Sequence, residues 1–296
     1  RSAKSPGQIA HNYPVGALVG EVIGLIAGSG RFPILFAREA RRQGLSITVI
    51  ALAGVTDPAL KDEVDSWNSF KLGQVSEPLR VLKEAGARKA VMAGKVQHVS
   101  LFGGVIPDLR AVRILAGLKD KRTDTLLGAL ASEFGREGIE LLSSATYLSH
   151  LIPGEGRLGR REPSKEERAD VELGWRAAKA LAGFDIGQSV VICEGAVVAV
   201  EGMEGTDALI ERAGALAGSQ GRKPRLSVVK VAKPKQDFRF DLPVLGLDTL
   251  PVLEKAGVTA LALEAGKTLV FDKDEFIRRA DEKGIALVAL SEEGMK

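Results

Sequence analysis

The stretch Val22-Ile-Gly-Leu-Ile-Ala-Gly28-Ser29-Gly30-Arg-Phe-Pro33 decides the fold. Its first six residues are a continuous apolar run, the pattern of a strand buried on both faces. Glycines at its end permit backbone angles and close approaches that a Cβ blocks, and Pro33 fits the first turn of a helix. The sequence from Ile34 to Gln43 continues that helix, Gly44 stops it, and Ser46–Leu52 is a second apolar run. Strand, glycine turn, helix and strand make a βαβ unit, and such a unit implies a parallel sheet.

The alternation continues outward from this unit. Strands are expected at Ser69–Leu72, Lys89–Ala93 and Ile139–Leu142, with helices over Ser76–Ala85, 108–118 and 123–136. Residues 17–147 therefore read as an N-terminal Rossmann-like domain, a doubly wound parallel sheet. The run PGEGRLGRREP (153–163) reads as an exposed connector. A second α/β pattern follows. It has a helix from Ser164 to Ala182, then a hairpin of Val190–Cys193 and Ala196–Glu201 turning at Glu194-Gly195. A helix capped by Thr206 or Asp207 runs through Arg212, a strand covers Leu226–Val231, and a helix starts at Thr249. Asp272 to Glu275 has the spacing of a capping box, and Ile285–Leu290 is a closing strand. Residues 148–296 are thus a linker and a C-terminal α/β domain, making the chain a two-domain α/β protein. Residues 1–16 read as a flexible extension or expression remnant outside the fold.

Bulk properties agree with two domains of ordinary size: 296 residues, 45% hydrophobic and 27% charged. A net charge of +3, with Lys and Arg scattered along the chain, gives no reason to expect a nucleic-acid partner. Cys193 is the sole cysteine, which excludes an internal disulfide and a cysteine-based zinc site; its apolar neighbours suggest a buried thiol. No run approaches the roughly 20 apolar residues that span a bilayer. The expected location is cytoplasmic. The three histidines, His11, His98 and His150, have no metal-ligand spacing, and neither a Walker loop nor a G-x-S-x-G elbow is present.

Three constellations have functional chemistry. Gly28-Ser29-Gly30 opens a helix whose free N–H groups suit a phosphate, but Pro33 stands where the third dinucleotide-fingerprint glycine belongs. The second strand also ends without an acid for a ribose hydroxyl, which disfavours an NAD-dependent oxidoreductase. The segment KVAKPKQDFRFDLPVLG (230–246) interleaves Lys230, Lys233, Lys235 and Arg239 with Asp237 and Asp241 between two prolines. Such a segment can bind phosphate through its cations and a hard cation such as Mg²⁺ through its carboxylates. A solvated charged loop is the alternative. Finally, Glu201, Glu204, Thr206 and Asp207 crowd one strand–helix turn; capping accounts for Thr206 or Asp207 but not for the two glutamates.

Taken together, the segments GLIAGSGRFP (24–33), AGKV (93–96), TDTLL (123–127), LAGFDIGQSVVICEGAVVAVEGMEGTDALIER (181–212) and KPKQDFRFDLPVLGLDT (233–249) resemble the LpxI family. The closing pattern of Ala280, Asp281, Gly284 and Ile285 belongs to the same resemblance, which spans Val22 to Leu290. It implies Mg²⁺-dependent hydrolysis of UDP-2,3-diacylglucosamine to UMP and 2,3-diacylglucosamine 1-phosphate, a step of lipid A biosynthesis, with water directed to the phosphate bearing the sugar. Asp241 matches the family's essential aspartate in the R-x-D-L-P segment. Where relatives carry paired aspartates before a double leucine, Thr123 precedes Asp124 here, so only Asp124 can inherit a role.

The resulting expectation makes Asp241, Asp237 and Arg239 catalytic, with Asp241, Glu204 and Asp207 holding Mg²⁺. Gly28, Ser29, Gly30, Gly94, Lys95, Asp124, Thr206, Lys233 and Gln236 would bind substrate. A homodimer and a peripheral contact with the inner membrane are expectations of the resemblance and of its diacylated substrate. A non-catalytic carrier of the lipid sugar remains the rival to an enzyme.

Overall fold

The computed structural model describes residues 20–96, 106–120, 123–218, 224–234, 237–240 and 242–295. The expectation for residues 1–16 falls outside them. The chain divides into two compact units, Arg1–Ser149 and His150–Lys296.

The first unit holds β1 (Val22–Ala27), α1 (Phe32–Arg42), β2 (Ser46–Leu52), β3 (Ser66–Phe70), α2 (Ser76–Glu84), β4 (Lys89–Ala93), α3 (Leu109–Ala116), α4 (Thr123–Arg136) and β5 (Glu140–Leu142). Its five strands lie in the order β3-β2-β1-β4-β5 and every pairing is parallel. The apolar runs Ile23–Leu25 and Ile47–Val49 are buried because helices cover a parallel sheet. Helix α1 turns Pro33, Phe36, Ala37 and Ala40 inward at helical spacing. Fully burying one side chain such as Phe36 is worth roughly 1.5–3 kcal/mol. The third strand differs from expectation: it begins at Ser66 and ends at Phe70. It is an edge strand with polar residues on its exposed positions, so hydropathy alone hides its start.

The second unit holds β6 (Gly156–Arg157), α5 (Lys165–Gly183), β7 (Ser189–Cys193), β8 (Ala196–Val200), α6 (Thr206–Ala217), β9 (Leu226–Lys230), β10 (Val244–Leu245), α7 (Thr249–Ala256), β11 (Val258–Glu264), β12 (Leu269–Val270), α8 (Lys273–Glu282) and β13 (Ala286–Leu290). Six strands form a mixed sheet in the order β6-β13-β11-β9-β7-β8, and β10 pairs with β12 in a small parallel sheet. Strands β9, β11 and β13 are mutually parallel; β7, β8 and β6 run antiparallel to their neighbours.

Alternation along the strands divides the core between the sheet's two faces. Val190, Ile192 and Val229 pack with Val171, Trp175, Ala178 and Ala182 of α5. Val191, Leu226, Val228 and Leu261 pack with Leu209 and Ile210 of α6, Leu253 of α7 and Phe276 of α8. All five residues of β9 are buried, which makes it the spine of the unit.

Strand β11 is one that the sequence reading does not foresee, because Val-Thr-Ala-Leu-Ala-Leu-Glu is rich in helix formers; burial among strands overrides that local preference. Two sequence expectations need correction. The capping box is absent at Asp272, whose backbone is left-handed (φ 49°) with no side-chain cap bond. A capping box does form at Ser164 and Glu167. The 153–163 stretch is more than a connector. Leu158 N–H donates to Leu287 O (2.9 Å), Arg160 N–H to Asp281 Oδ1 (2.6 Å), and Arg161 grips Glu167 through both terminal nitrogens (2.7 and 2.9 Å).

Gly174 shows how closely α5 lies on its sheet. A Cβ there would sit 2.6 Å from Val229 Cγ2 and 3.1 Å from Ile192 Cγ1. Gly174→Val is therefore expected to lower stability by about 1–3 kcal/mol. Gly183→Ala, where a Cβ meets nothing within 4 Å, should be close to neutral. Urea unfolding followed by far-UV circular dichroism measures both.

Candidate active site

In the second unit the chain returns four polar side chains to one end of β9. Strand β7 pairs antiparallel with β9 so that Ser189 lies opposite Lys230, the last residue of β9. Strand β8 then comes back through a two-residue turn, Glu194 and Gly195, both at positive φ. Its end delivers Glu201 to the same edge, and Gly205 (φ 88°) turns the chain so that Thr206 opens α6 there.

Lys230 is 6% exposed and Glu201 8%. Two opposite charges out of water need mutual attraction and satisfied hydrogen bonds. Lys230 Nζ donates to Thr206 Oγ1 (2.7 Å), and the Thr206 hydroxyl donates onward to Glu201 Oε1 (2.9 Å). Glu201 Oε2 accepts the Gln188 N–H at 3.1 Å. Burial pushes the Glu201 carboxyl up, but the Lys230 charge and the hydrogen bonds from Ser189, Thr206 and Gln188 outweigh it and hold the group below the usual glutamate range. Sequence reading places Thr206 and Glu201 at this turn but does not join them to Lys230. The signal that points to Lys230 is a strand ending in an isolated lysine after four buried residues.

The polar segment after β9 hangs between two buried anchors. At its root, Val231 N–H donates to Gln188 O (2.9 Å) and Ala232 N–H to Glu264 Oε2 (2.8 Å). Glu264 is itself buried and paired with Lys179 and Lys267, each at 2.8 Å. At the far end Leu242 is buried, and Leu269 N–H donates to Pro243 O (2.8 Å). Between the anchors, Lys233 pairs with Asp185 (2.5 Å) and Arg239 grips both oxygens of Asp237 (2.6 to 3.1 Å) while lying 5.0 Å from the Phe240 ring centroid. The Arg239 guanidinium holds the Asp237 carboxyl below its usual range, against a smaller opposing effect of burial. Asp237 is therefore suited to orienting Arg239 and is a weak proton acceptor. Gln236 and Asp241 lie outside the described residues.

The proposed metal-binding carboxylates are differently engaged. Glu204 accepts the Gly202 N–H (2.9 Å) and pairs with Arg212 (2.5 Å); its own backbone N–H, then Arg212, holds it below the usual range. Asp207 is exposed in the first turn of α6. Among the described residues no group of three or more His, Cys, Asp or Glu side chains could hold a metal ion. Asp241, the third carboxylate of the expected Mg²⁺ set, lies outside the described residues. Cys193 is half-buried rather than buried, and desolvation followed by the charges of Glu194 and Asp170 raises its thiol pKa.

In the first unit, the two glycine segments sit at the carboxyl ends of β1 and β4. The strand order reverses there, which is where open α/β sheets place ligands. They interlock. Ser29 and Lys95 exchange both backbone hydrogen bonds (2.9 and 3.0 Å), and the Ser29 hydroxyl also donates to Lys95 O (2.9 Å). A Cβ on Gly28 would lie 2.7 Å from Lys95 O, and one on Gly94 (φ 94°) 2.7 Å from Ser29 O. These glycines are required by that close approach, and Ser29 N–H is already committed. Gly30 (φ 89°) has open space around its Cβ position. Asp124 is the second residue of α4, and its side chain lies outside the described residues.

The buried network yields a pH-dependent prediction. Glu201→Gln removes the negative charge that Thr206 links to Lys230, weakening hydrogen bonds to a charged group, and should cost about 1.5–3 kcal/mol. With the folded pKa depressed, the wild-type advantage is complete above the unfolded value of about 4.3 and is lost as pH falls through the lower folded value. Chemical unfolding of both proteins from pH 7 down to acid should show the curves converging. Parallel curves would remove the charge of Glu201 from the account.

Both units match known domains. Residues 22–151 match the LpxI N-terminal domain and residues 154–288 the LpxI C-terminal domain. A relative named UDP-2,3-diacylglucosamine pyrophosphatase LpxI, from Caulobacter vibrioides, is 33% identical over 274 residues, covering 90% of this chain and 97% of that protein. Among solved structures, N5-carboxyaminoimidazole synthetase from Staphylococcus aureus is 11% identical, with a TM-score of 0.25 over 67% of this chain and 44% of that one, too weak a likeness to bear on fold or function. With two domain matches in the family's order and a relative aligned almost end to end, the chain belongs to the LpxI family.

Proposed function

We propose that this protein hydrolyses the pyrophosphate of UDP-2,3-diacylglucosamine, releasing UMP and 2,3-diacylglucosamine 1-phosphate, in lipid A biosynthesis. The observation that carries the reading is the match to both LpxI domains together with the 33% identity to a relative bearing that activity in its name. The site chemistry supports it. Hydrolysis of a pyrophosphate needs positive charge on the phosphate oxygens and a means of activating water. The segment after β9 supplies Lys233 and Arg239, and the first turn of α6 adds the positive end of a helix.

In the proposed reaction a water oxygen bonds to the phosphorus bearing the sugar. The bond from that phosphorus to the bridging oxygen breaks, and the bridging oxygen leaves with UMP. Arg239, aimed by Asp237 and Phe240, takes the charge that develops on the leaving phosphate. Lys233 binds the substrate's pyrophosphate, displacing or sharing Asp185. Lys230 acts indirectly, fixing Thr206 and the root of the segment. Asp241 is the proposed centre of water activation. Gly30 and Lys95 of the first unit, Asp124, Thr206 and Gln236 are proposed substrate contacts.

Mg²⁺ is proposed as the cofactor, with Asp241 as its principal ligand and Glu204 and Asp207 as further carboxylates; Glu204 would exchange its pairing with Arg212 for the ion. Such an ion would neutralise phosphate charge and lower the pKa of bound water. The reaction is proposed to occur in the cytoplasm. Among the described residues no helix is long and apolar enough to cross a membrane.

Asp241→Ala should lower UMP release from UDP-2,3-diacylglucosamine by about a hundredfold or more while leaving the unfolding midpoint near wild type. EDTA should abolish release, and added Mg²⁺ should restore it. Binding of the substrate without UMP release in Mg²⁺ buffer would instead favour a carrier. Near-wild-type turnover in the alanine variant would sink the role of Asp241. Water labelled with ¹⁸O should place the label in the sugar phosphate.

A further inference from the structure

Helix α3 in the first unit turns an apolar arc to solvent. Leu109 is 85% exposed, Val112 47% and Leu115 38%, with Ile106, 89% exposed, just before the helix. Spacings of three place Leu109, Val112 and Leu115 along one side, and Ala116 joins Val112 one turn on. The opposite side is used internally: Ala111 is buried, and Arg110 pairs with Glu133 and Glu137 of α4. The helix is also firmly mounted. Asp108 caps it by accepting Ala111 N–H (2.8 Å), and its other oxygen accepts Val75 N–H and Ser76 N–H at the start of α2 (both 2.8 Å).

Charge selects what this arc meets. The run Leu-Arg-Ala-Val-Arg-Ile-Leu-Ala-Gly-Leu-Lys (109–119) has three cations and no carboxylate. Arg110 is neutralised by its glutamates, but Arg113, one turn from Leu109, and Lys119 are exposed and paired with no carboxylate among the described residues. An apolar stripe rimmed by cations fits the headgroup boundary of an anionic bilayer, where apolar area and basic charge add. A soluble protein partner would need complementary apolar and acidic groups together, whereas an anionic lipid surface supplies both everywhere.

We propose that the exposed face of α3, from Ile106 to Lys119, is a surface that docks reversibly on anionic phospholipid membranes. The purpose assigned to it rests on the proposed diacylated substrate, which resides in a bilayer. The surface itself stands on the residues above. Two turns of helix bury little area, so the association is weak and salt-sensitive, as suits an enzyme that returns to solution.

The test is co-sedimentation of the full chain with vesicles of phosphatidylethanolamine and phosphatidylglycerol in equal parts, and with phosphatidylcholine vesicles, none containing the UDP-lipid. Binding to the anionic vesicles is expected, falling with added salt. Leu109→Asp should weaken it at least about tenfold, and Arg113→Gln about fivefold. Both residues are exposed, so unchanged unfolding midpoints will show that the variants are folded. The proposal is overturned if the wild type does not sediment with anionic vesicles, or if Leu109→Asp binds them as well as wild type. It is equally overturned if Leu109→Asp leaves vesicle binding intact but raises KM for detergent-dispersed substrate, or halves the solution mass, since the arc would then hold acyl chains or a second copy. Vesicle binding by a protein that releases no UMP would sink the proposed activity and leave the surface standing. The converse result would do the reverse.

Discussion

The second unit depends on an ammonium group held almost out of water. Lys230 ends the strand that lies at the centre of the mixed sheet, and its charge is tolerated there because a hydroxyl relays it to Glu201. This one arrangement ties β7, β8, β9 and the start of α6 to a common edge. Buried opposite charges joined through a hydroxyl contribute little net stability compared with apolar isosteres, yet removing one of them is costly. Their value is in fixing geometry. The polar segment begins immediately after Lys230, and its root is fixed by the bonds of Val231 N–H to Gln188 O and of Ala232 N–H to Glu264.

The first unit fixes its loops chiefly with backbone, helped by the Ser29 hydroxyl. At the crest of its parallel sheet, two glycine turns press together closely enough that neither Gly28 nor Gly94 has room for a side chain. The ladder between Ser29 and Lys95 locks them. A loop at the carboxyl end of a parallel strand usually keeps its N–H groups for a ligand. Here part of that capacity is consumed in holding the turns rigid, and Gly30 retains the open space beside them. The lack of the third fingerprint glycine, where Pro33 packs near the position a Gly94 Cβ would take, belongs to the same close fit.

How far the residues foretell the structure varies with burial. Strands β1, β2 and β4 are legible to the residue because both faces are apolar and glycines punctuate them. Strand β11 is hidden by alanine and leucine, residues that say nothing of strand until neighbours surround them. The candidate site is legible as composition: the cations and acids of 230–241 stand out in any reading. Their pairing is not. Whether Asp237 faces Arg239 or a metal, and whether Glu204 faces Arg212, depends on side-chain directions that linear spacing does not fix. The coupling of Ser189 to Lys230 depends on a strand register reached across forty-one positions.

The short strand β6 has a consequence for how the polypeptide acquires its shape. Gly156 and Arg157 pair with Ala289 and Val288, so the edge laid down first in the second unit is completed by the unit's last strand. The first unit has all its strands by Leu142 and can close its sheet while the ribosome is still building the second. The second cannot, since β13 must arrive before β6 and the outer edge of β11 find partners. Contacts this distant in sequence are slow to form, and the unpaired edge of β11 is exposed in the meantime. Biogenesis is therefore asymmetric: an early, self-sufficient half emerges ahead of a half that waits for its own final strand.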